Sequence, residues 1–155
     1  MGEETALNIL ISACLLGVSC RYDGAQRENA AAICLAEKYH LIPFCPEQAG
    51  GLATPRSPAE LCGGIVMTRD GADVTDAYRR GAEEALRLAE LFHCAVAVLK
   101  ERSPSCGSGE IHDGTFSGGL TTGDGMTAAL LKAHGIRVLG ESEIQRELLS
   151  CSKEN

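Results

Sequence analysis

The sequence predicts an α/β protein: a single Rossmann-like, three-layer domain with a mainly parallel sheet. Short apolar runs that resemble buried strands occur at 7–13, 94–100 and 136–139. Segments with helical composition or helical periodicity alternate with these runs, as in a parallel sheet that is covered on both faces. We expect one domain over residues 1–155, because the sequence contains neither an internal repeat nor a long linker.

The first half of the chain is predicted to contain two strands, a helix and a hairpin. Its elements are a strand at 7–13, a helix at 27–39, a strand at 40–45, a proline- and glycine-rich loop to Gly64, and a hairpin at 65–75. Pro46 ends the second strand because proline cannot donate to a ladder of hydrogen bonds. The pair Asp70-Gly71 is typical of a hairpin turn and predicts the position of that turn.

The second half repeats the alternation. Its elements are a helix at 76–92, a strand at 94–100, an irregular glycine-rich segment at 101–125, a helix at 125–135, a strand at 136–139 and a C-terminal helix. Thr75 and Asp124 are predicted to cap the first two helices, and Gly135 to end the second. Ser142 and Gln145 form the pattern of a capping box that opens the last helix.

Charge and hydropathy narrow the class of partner. The net charge is −7 and no basic face is evident, so a small molecule is a better candidate partner than a nucleic acid. No apolar run approaches the roughly 18 residues of a membrane helix, and the polar start is unlike a signal peptide. We therefore expect a cytoplasmic protein. The sequence leaves the oligomeric state open.

Eight cysteines are many for a chain of this length, and none forms a C-x-x-C pair. Thiols stay reduced in the cytosol, so metal binding or catalysis is the better interpretation. Cys14 follows the first strand, Cys45 ends the second, and Cys106 lies in the loop after the strand at 94–100. Because the carboxyl ends of parallel strands meet at one edge of a sheet, we expect these three thiols to share a site there.

The other cysteines are predicted to be less important. Cys34 and Cys94 are interpreted as small buried hydrophobic residues, the usual environment of a free cysteine. Cys151 is expected to have no role, and Cys62 is left open, with the absence of a role as the favoured interpretation. Cys20 is left open, because its loop could return it to the site that Cys14 reaches.

Three thiolates at one place suit an iron–sulfur cluster or zinc. Structural zinc usually has four protein ligands, and catalytic zinc commonly has histidine among its ligands. Among the four histidines only His112 lies in a loop at the expected edge. A cluster that is held by three cysteines and keeps one iron open therefore fits better than zinc. The alternative is that three unrelated loop cysteines happen to lie at one edge.

Four stretches of the chain carry a resemblance to a known family. They are "SACLLGVSCRYDG", "PFCPEQAGGLATPRSPAE", "DVTDAYRRGAEEAL" and "LKERSPSCGSGEIHDGTFSG". In these stretches, and over roughly residues 8 to 140, the chain resembles a family long known only as a domain of unknown function, which includes the thiouracil desulfidases. In its characterised members three cysteines hold a [4Fe-4S] cluster whose fourth iron takes the sulfur of a thiocarbonyl substrate.

The resemblance implies a role for particular residues. It makes Cys14, Cys45 and Cys106 the cluster ligands, the same three that the strand ends select. It makes Glu47 of "CPEQ" and Ser103 of "SPSCG" the catalytic residues. Glu47 would pass a proton between water and the substrate, and its alternative is a surface carboxylate. Ser103 would hydrogen-bond the substrate or orient water, and its alternative is a turn residue.

Substrate contacts are predicted from the same loops. Arg21 and Tyr22 follow Cys14 closely enough to line the site, and Gly107 lets the backbone approach a ligand. The expected reaction replaces C=S by C=O in a thiolated pyrimidine or related thioamide and releases sulfide.

Two alternatives to this function stay open. One is a non-catalytic cluster-binding protein in which Cys20 closes the fourth position, and the other is a hydrolase with a cysteine nucleophile beside His112.

Overall fold

The computed structural model describes residues 7–149. Its strands are β1 (Asn8–Ser12), β2 (His40–Phe44), β3 (Ala59–Cys62), β4 (Ile65–Thr68), β5 (Val96–Leu99), β6 (Glu110–His112), β7 (Leu120–Thr122) and β8 (Arg137–Gly140). Its helices are α1 (Ala30–Leu35), α2 (Pro46–Ala49), α3 (Thr75–Leu91) and α4 (Met126–Ala133). A 3₁₀ turn at Ala13–Leu16 follows β1, and a 3₁₀ turn and a π-helical turn follow β8.

The predicted parallel sheet is confirmed. It has the order β2–β1–β5–β8, and every neighbouring pair is parallel. Ile9 lies opposite both Leu41 and Val96, which fixes the register of the central strand β1. Helices cover both faces, so the three-layer fold class is also confirmed. One face packs on α3 and α4, and the other on α1 and the C-terminal turns.

Apolar side chains on both faces of β1 explain why it is central. Ile9, Leu10 and Ile11 are at most 1% exposed. Leu10 belongs to the core under α3 and α4, whereas Ile9 and Ile11 belong to the core under α1. A strand that is buried on both faces needs an unbroken apolar run, which is what "ILI" provides.

Two antiparallel hairpins lie outside this sheet, and the first differs from the prediction. β3 pairs with β4 across Gly63 and Gly64, so β3, which the sequence analysis assigned to a loop, is the true partner of β4. At Asp70-Gly71 the chain does reverse, but it makes only a single bridge between Met67 and Asp73. β6 and β7 form the second hairpin within the segment predicted to be irregular.

Most of the predicted helix caps are wrong, because the side chains predicted to cap form hydrogen bonds with other residues instead. α3 begins at Thr75, whose hydroxyl donates to Asp73 and accepts from the Val66 amide. Asp124 does not cap α4, because its carboxylate accepts from the Gly109 amide and from Lys132. Ser142 hydrogen-bonds Glu101, and the predicted C-terminal helix is a 3₁₀ turn and a π-helical turn.

The helix predicted at 27–39 is shorter, and its cysteine is exposed. α1 begins after Asn29, whose side chain accepts from the Ala32 amide, and it extends only to Leu35. Cys34 lies on its solvent face, so the prediction of a buried Cys34 is wrong. Cys94 is buried as predicted, whereas Cys151 lies outside the described residues.

No helix between residues 7 and 149 is long and apolar enough to cross a membrane. The single domain over 1–155 stays a prediction.

Helices α2 and α3 meet without intervening side chains. A Cβ at Gly81 would lie 1.9 Å from the Pro46 carbonyl oxygen, and a Cβ at Gly50 would lie 1.9 Å from the Ala77 carbonyl oxygen. Neither site has room for a methyl group, so only glycine permits this backbone contact. The contact fixes α2, and with it the chain at Cys45 and Glu47, against α3, the longest helix within residues 7–149.

Candidate active site

A cavity of about 500 Å³ lies at the carboxyl edge of the parallel sheet. The chain segments that follow β1, β2 and β5 all contribute to its lining, as do both hairpins. Four cysteines line it: Cys14, Cys20, Cys45 and Cys106. The structure therefore brings together the three strand-end thiols that the sequence analysis selected, and it adds the one that was left open.

Each of these cysteines is delivered by a different local structure. Cys14 lies in the 3₁₀ turn directly after β1, and Cys45 stands at the residue before α2, directly after β2. Cys106 follows β5 in the loop that leads to β6 and is 4% exposed. Cys20 returns to the cavity from the loop after the 3₁₀ turn and is 2% exposed. Their role as ligands stays a prediction.

Neighbouring thiols and burial favour the protonated form of Cys20, Cys45 and Cys106. A hydrogen bond with Cys14, together with burial, raises the pKa of Cys20 to about 11. A hydrogen bond with Cys20 and burial also raise the pKa of Cys45. Burial raises the pKa of Cys106 to about 11, although the hydroxyls of Ser12 and Ser105 act in the opposite direction. Metal ligation requires thiolates, so loading this site must release protons.

The donor set fits an iron–sulfur cluster better than a single ion. In the described part of the chain, no three His, Cys, Asp or Glu side chains are grouped so that they would hold one metal ion. Zinc would need its sulfur ligands about 2.3 Å from one centre. A cluster attaches each cysteine to a different iron, so its ligands lie further apart. Ser12 Oγ lies 3.4 Å from Cys106 Sγ, where a hydroxyl would hydrogen-bond a ligand sulfur, and Ser105 Oγ lies 3.5 Å from the same sulfur.

Glu47 forms an ion pair inside the cavity. Its Oε1 accepts from Arg56 Nε at 2.9 Å, and its Oε2 accepts from Ser105 Oγ at 3.0 Å. The side chains of Arg56 and Glu47 are only 10% and 13% exposed. Burial and then the Glu47 charge raise the pKa of Tyr78, which lines the same cavity. Glu47 is thus a partly desolvated carboxylate beside the thiols and not a surface residue.

Arg56 connects the loops that build the site. Its Nη2 donates to the Cys20 carbonyl oxygen at 2.9 Å, and its Nη1 donates to the Ala53 carbonyl oxygen at 3.1 Å. Its backbone amide donates to the Tyr22 carbonyl oxygen at 2.8 Å. The guanidinium therefore joins the loop that carries Cys20 to the loop that follows α2, in addition to pairing with Glu47.

Ser103 occupies a turn, and its neighbour Ser105 makes the contact with Glu47. Ser103 Oγ accepts from the backbone amides of Ser105 at 3.1 Å and Cys106 at 3.0 Å. This is the turn arrangement that the sequence analysis gave as the alternative for Ser103. Ser105 and Ser12 were not predicted. Ser105 directly precedes the predicted ligand Cys106 in "SPSCG", and Ser12 ends the strand before Cys14 in "SACLLG". Their position next to predicted ligands is the signal that could have found them.

Two of the three predicted substrate contacts lie in the cavity lining, and the third does not. Arg21 and Tyr22 line the cavity, with the Arg21 guanidinium 5.9 Å from the Tyr22 ring and paired with Asp23. Gly107 is not in the lining, and its amide donates to the Ser103 carbonyl oxygen at 2.9 Å. A Cβ at Gly107 would lie 2.8 Å from that oxygen, so this glycine serves the packing of the loop.

His112 also lines the cavity, but the described residues give it no hydrogen bond to a cysteine. Its Nδ1 is buried and has no hydrogen-bond partner among residues 7–149. A cysteine nucleophile needs a base within hydrogen-bond reach, with that base oriented by a third group. The arrangement around His112 lacks both features in this part of the chain.

The two hairpins complete the lining. Glu60 of β3 accepts from the amides of Gly114 and Phe116 at 2.9 and 3.0 Å, and so fixes the β6–β7 loop. The Arg69 guanidinium lies 5.5 Å from the centre of the Phe116 ring, and both residues line the cavity. The hairpins therefore supply an aromatic and cationic wall that the parallel sheet does not provide.

Fold and cavity together define a class: an α/β protein with a thiol-rich pocket and a buried carboxylate at the carboxyl edge of its sheet. Residues 9–143 match the model of the 2-thiouracil desulfurase family, and the chain belongs to that family. It is similar to a solved structure of the [4Fe-4S]-dependent thiouracil desulfidase TudS, with 47% identity and a TM-score of 0.85. That similarity covers 94% of this chain and 98% of the other. The chain is also 44% identical to the uncharacterized protein YbbK of Bacillus subtilis (strain 168), over 88% of this chain and 97% of YbbK.

Proposed function

We propose that this protein is a [4Fe-4S]-dependent desulfidase that replaces C=S by C=O in a thiolated pyrimidine or related thioamide and releases sulfide. One observation carries the proposal: cysteines from three strand ends line the same cavity as the buried Glu47–Arg56 pair. The family and the similarity to TudS support the same reaction.

Cys14, Cys45 and Cys106 are the residues that would hold the cluster. When bound, a cluster with one iron free of cysteine supplies a thiophilic Lewis acid that polarises a C=S bond and accepts its sulfur. Burial of Cys106 and the hydroxyls of Ser12 and Ser105 beside its sulfur suit a ligand in a site of low water content.

Glu47 is the residue that moves the proton. Replacement of sulfur requires water to lose a proton as it attacks the carbon, and the leaving sulfide or the ring nitrogen to gain one. Two Arg56 nitrogens occupy Oε1 of Glu47, whereas Oε2 accepts one hydroxyl and keeps a lone pair for this exchange. Arg21 and Tyr22 lie in the same lining and would orient the ring of the substrate.

The substrate is a small molecule. A cavity of about 500 Å³ is within the range of small-ligand pockets. A nucleic-acid partner is disfavoured by the net charge of −7. A cytoplasmic location agrees with a site that depends on reduced thiols.

A non-catalytic cluster-binding protein is the second candidate, and Cys20 is the observation that favours it. Cys20 is buried, hydrogen-bonded to Cys14 and Cys45, and present in the cavity lining. If Cys20 occupied the fourth ligand position, no iron would be open to a substrate. A cluster carrier would then be the better description.

The test is anaerobic reconstitution with iron and sulfide, followed by visible spectra and assays of sulfide release from 2-thiouracil and 4-thiouracil. We expect a cluster spectrum, bound iron and release of sulfide together with the oxygenated pyrimidine. The matched control is Cys62→Ser, which changes an exposed thiol outside the cavity lining and should behave as the wild type. A loaded protein that releases sulfide from neither compound would contradict the proposed activity.

A further inference from the structure

A chain of hydrogen bonds with one direction connects the loop after β5 to Glu47. Ser103 Oγ accepts two backbone amides, so its own hydrogen remains to be donated. Ser105 Oγ lies 3.0 Å from it and accepts that hydrogen. Ser105 in turn donates to Glu47 Oε2 at 3.0 Å. The chain therefore runs from the turn, through two hydroxyls, to the carboxylate.

We propose that Ser105 is the positioning residue for Glu47 in the desulfidase reaction, and that Ser103 acts on Glu47 only through Ser105. The inference rests on the proposed function. It replaces a direct substrate contact by Ser103 with an indirect role, because the Ser103 oxygen already accepts two amides and its hydrogen is donated to Ser105.

The geometry around Glu47 explains why Ser105 matters. Arg56 holds Oε1 of the carboxylate through two nitrogens, Ser105 holds Oε2, and the Tyr78 hydroxyl interacts with the same carboxylate. Without Ser105 the carboxylate could turn about the single bond to Cγ while it stayed paired with Arg56. Catalytic groups lose about 10²-fold in rate when they are misplaced by about 1 Å, so this rotation would be costly.

Ser105 also links the carboxylate to a predicted cluster ligand. Its Oγ lies 3.5 Å from Cys106 Sγ, and the residue is 1% exposed. A hydroxyl has one hydrogen, and the carboxylate is a stronger acceptor than the thiol sulfur, so that hydrogen belongs to Glu47. Ser105 thus sets the position of the proton-transfer group relative to the ligand, although the two belong to different segments of the chain.

The first test is Ser105→Ala, assayed with 2-thiouracil and 4-thiouracil after anaerobic reconstitution. We expect kcat to fall about 10- to 100-fold on whichever compound the wild type converts, because the carboxylate is misplaced. KM should stay within about threefold, and iron per chain and the visible spectrum should match the wild type. Ser105→Thr and Ser105→Val form a matched pair that shares any steric cost, so kcat should be at least tenfold higher for the threonine variant.

The second test is a double-mutant cycle with Glu47→Gln, which separates positioning from a general effect on the loop. If Ser105 acts through Glu47, Ser105→Ala should change the residual rate of the Glu47→Gln protein less than threefold. An equal loss in both backgrounds, near wild-type kcat for Ser105→Ala, or equal rates for the threonine and valine variants would overturn the inference while the proposed function stands. A loaded wild-type protein that releases no sulfide would overturn both.

Discussion

Seven of the eight cysteines lie in the described residues, and they form two groups. The cavity cysteines are Cys14, Cys20, Cys45 and Cys106. The outer cysteines are Cys34, Cys62 and Cys94, which do not line the cavity. The two groups are interleaved along the sequence, so the order of the cysteines in the chain does not separate them. They differ in where the sheet places them, because three of the cavity cysteines follow parallel strands at the carboxyl edge.

Each outer cysteine has a local explanation. Cys94 is 4% exposed and packs in the core beneath α3 and α4. Cys34 lies on the exposed face of α1, and Cys62 ends β3 beside Gly114. Position relative to the strand ends is therefore a better guide to a shared site than the number of cysteines.

The largest effect should come from Cys45→Ser. Loss of a ligand should remove most of the iron and abolish sulfide release, because a serine hydroxyl is a poor ligand for iron in a cluster. Iron, visible absorbance and activity are measured on the same reconstituted samples, with the outer variant Cys62→Ser beside them. Full iron in Cys45→Ser would show that the cavity cysteines have been divided wrongly.

Glu47→Gln should have the next largest effect, and it should separate chemistry from cluster binding. The amide keeps the shape of the carboxylate but cannot exchange a proton, so the rate should fall about 10²–10⁴-fold. Iron content should equal that of the wild type, since Glu47 is not a predicted ligand. Turnover near the wild-type rate would show that another group moves the proton.

Cys20→Ser should have a smaller effect and should decide between enzyme and carrier. Serine preserves the size of Cys20 and a hydrogen-bonding group toward Cys14 and Cys45. We expect unchanged iron content and a rate within about tenfold of the wild type. Loss of the cluster from a stably folded Cys20→Ser protein would favour the four-cysteine carrier.

Cys94→Ala should change stability alone. Removing a buried sulfur from the core should lower the free energy of unfolding by about 1–2 kcal/mol through lost packing. Denaturant unfolding of the cluster-free protein gives the value, and reconstitution should give iron equal to the wild type. Weak iron binding by a folded Cys94→Ala protein would mean that the core and the cavity are coupled.

The smallest effect is expected for Cys34→Ser. An exposed side chain on a short helix makes few contacts, so stability should change by less than about 0.5 kcal/mol. Iron and activity should be unaffected. A larger loss of stability, measured in the same unfolding experiment, would indicate that the solvent face of α1 is covered by a contact.

The sequence predicted the placement of the site better than its hydrogen bonds. The parallel sheet rule alone brings Cys14, Cys45 and Cys106 to one edge, because the strand runs and their order are visible in the sequence. Ser105 could not be singled out in the same way, since its function depends on Glu47, 58 residues earlier in the chain. A serine directly before a proline resembles a turn residue, and that pattern describes Ser103 correctly.

Errors in the fold have a similar origin. Asp124 is a residue type that often caps helices, but its carboxylate accepts from the Gly109 amide and from Lys132 instead. Sequence patterns do not reveal such distant partners. Cys34 was predicted to be buried because the composition of α1 does not show which face meets the sheet. Local preferences are weak, and tertiary contacts override them.

The close contact of α2 with α3 limits how the pocket can be altered. Gly50 and Gly81 each face a carbonyl oxygen at a distance that excludes even a methyl group. Substitution at either position would push α2 away from α3 and displace Glu47 from its donors. A change of substrate preference, by selection or by engineering, would therefore come more readily from side chains of the lining outside α2, such as Arg21, Tyr22, Arg69 and Phe116, than from the backbone beneath the reacting groups.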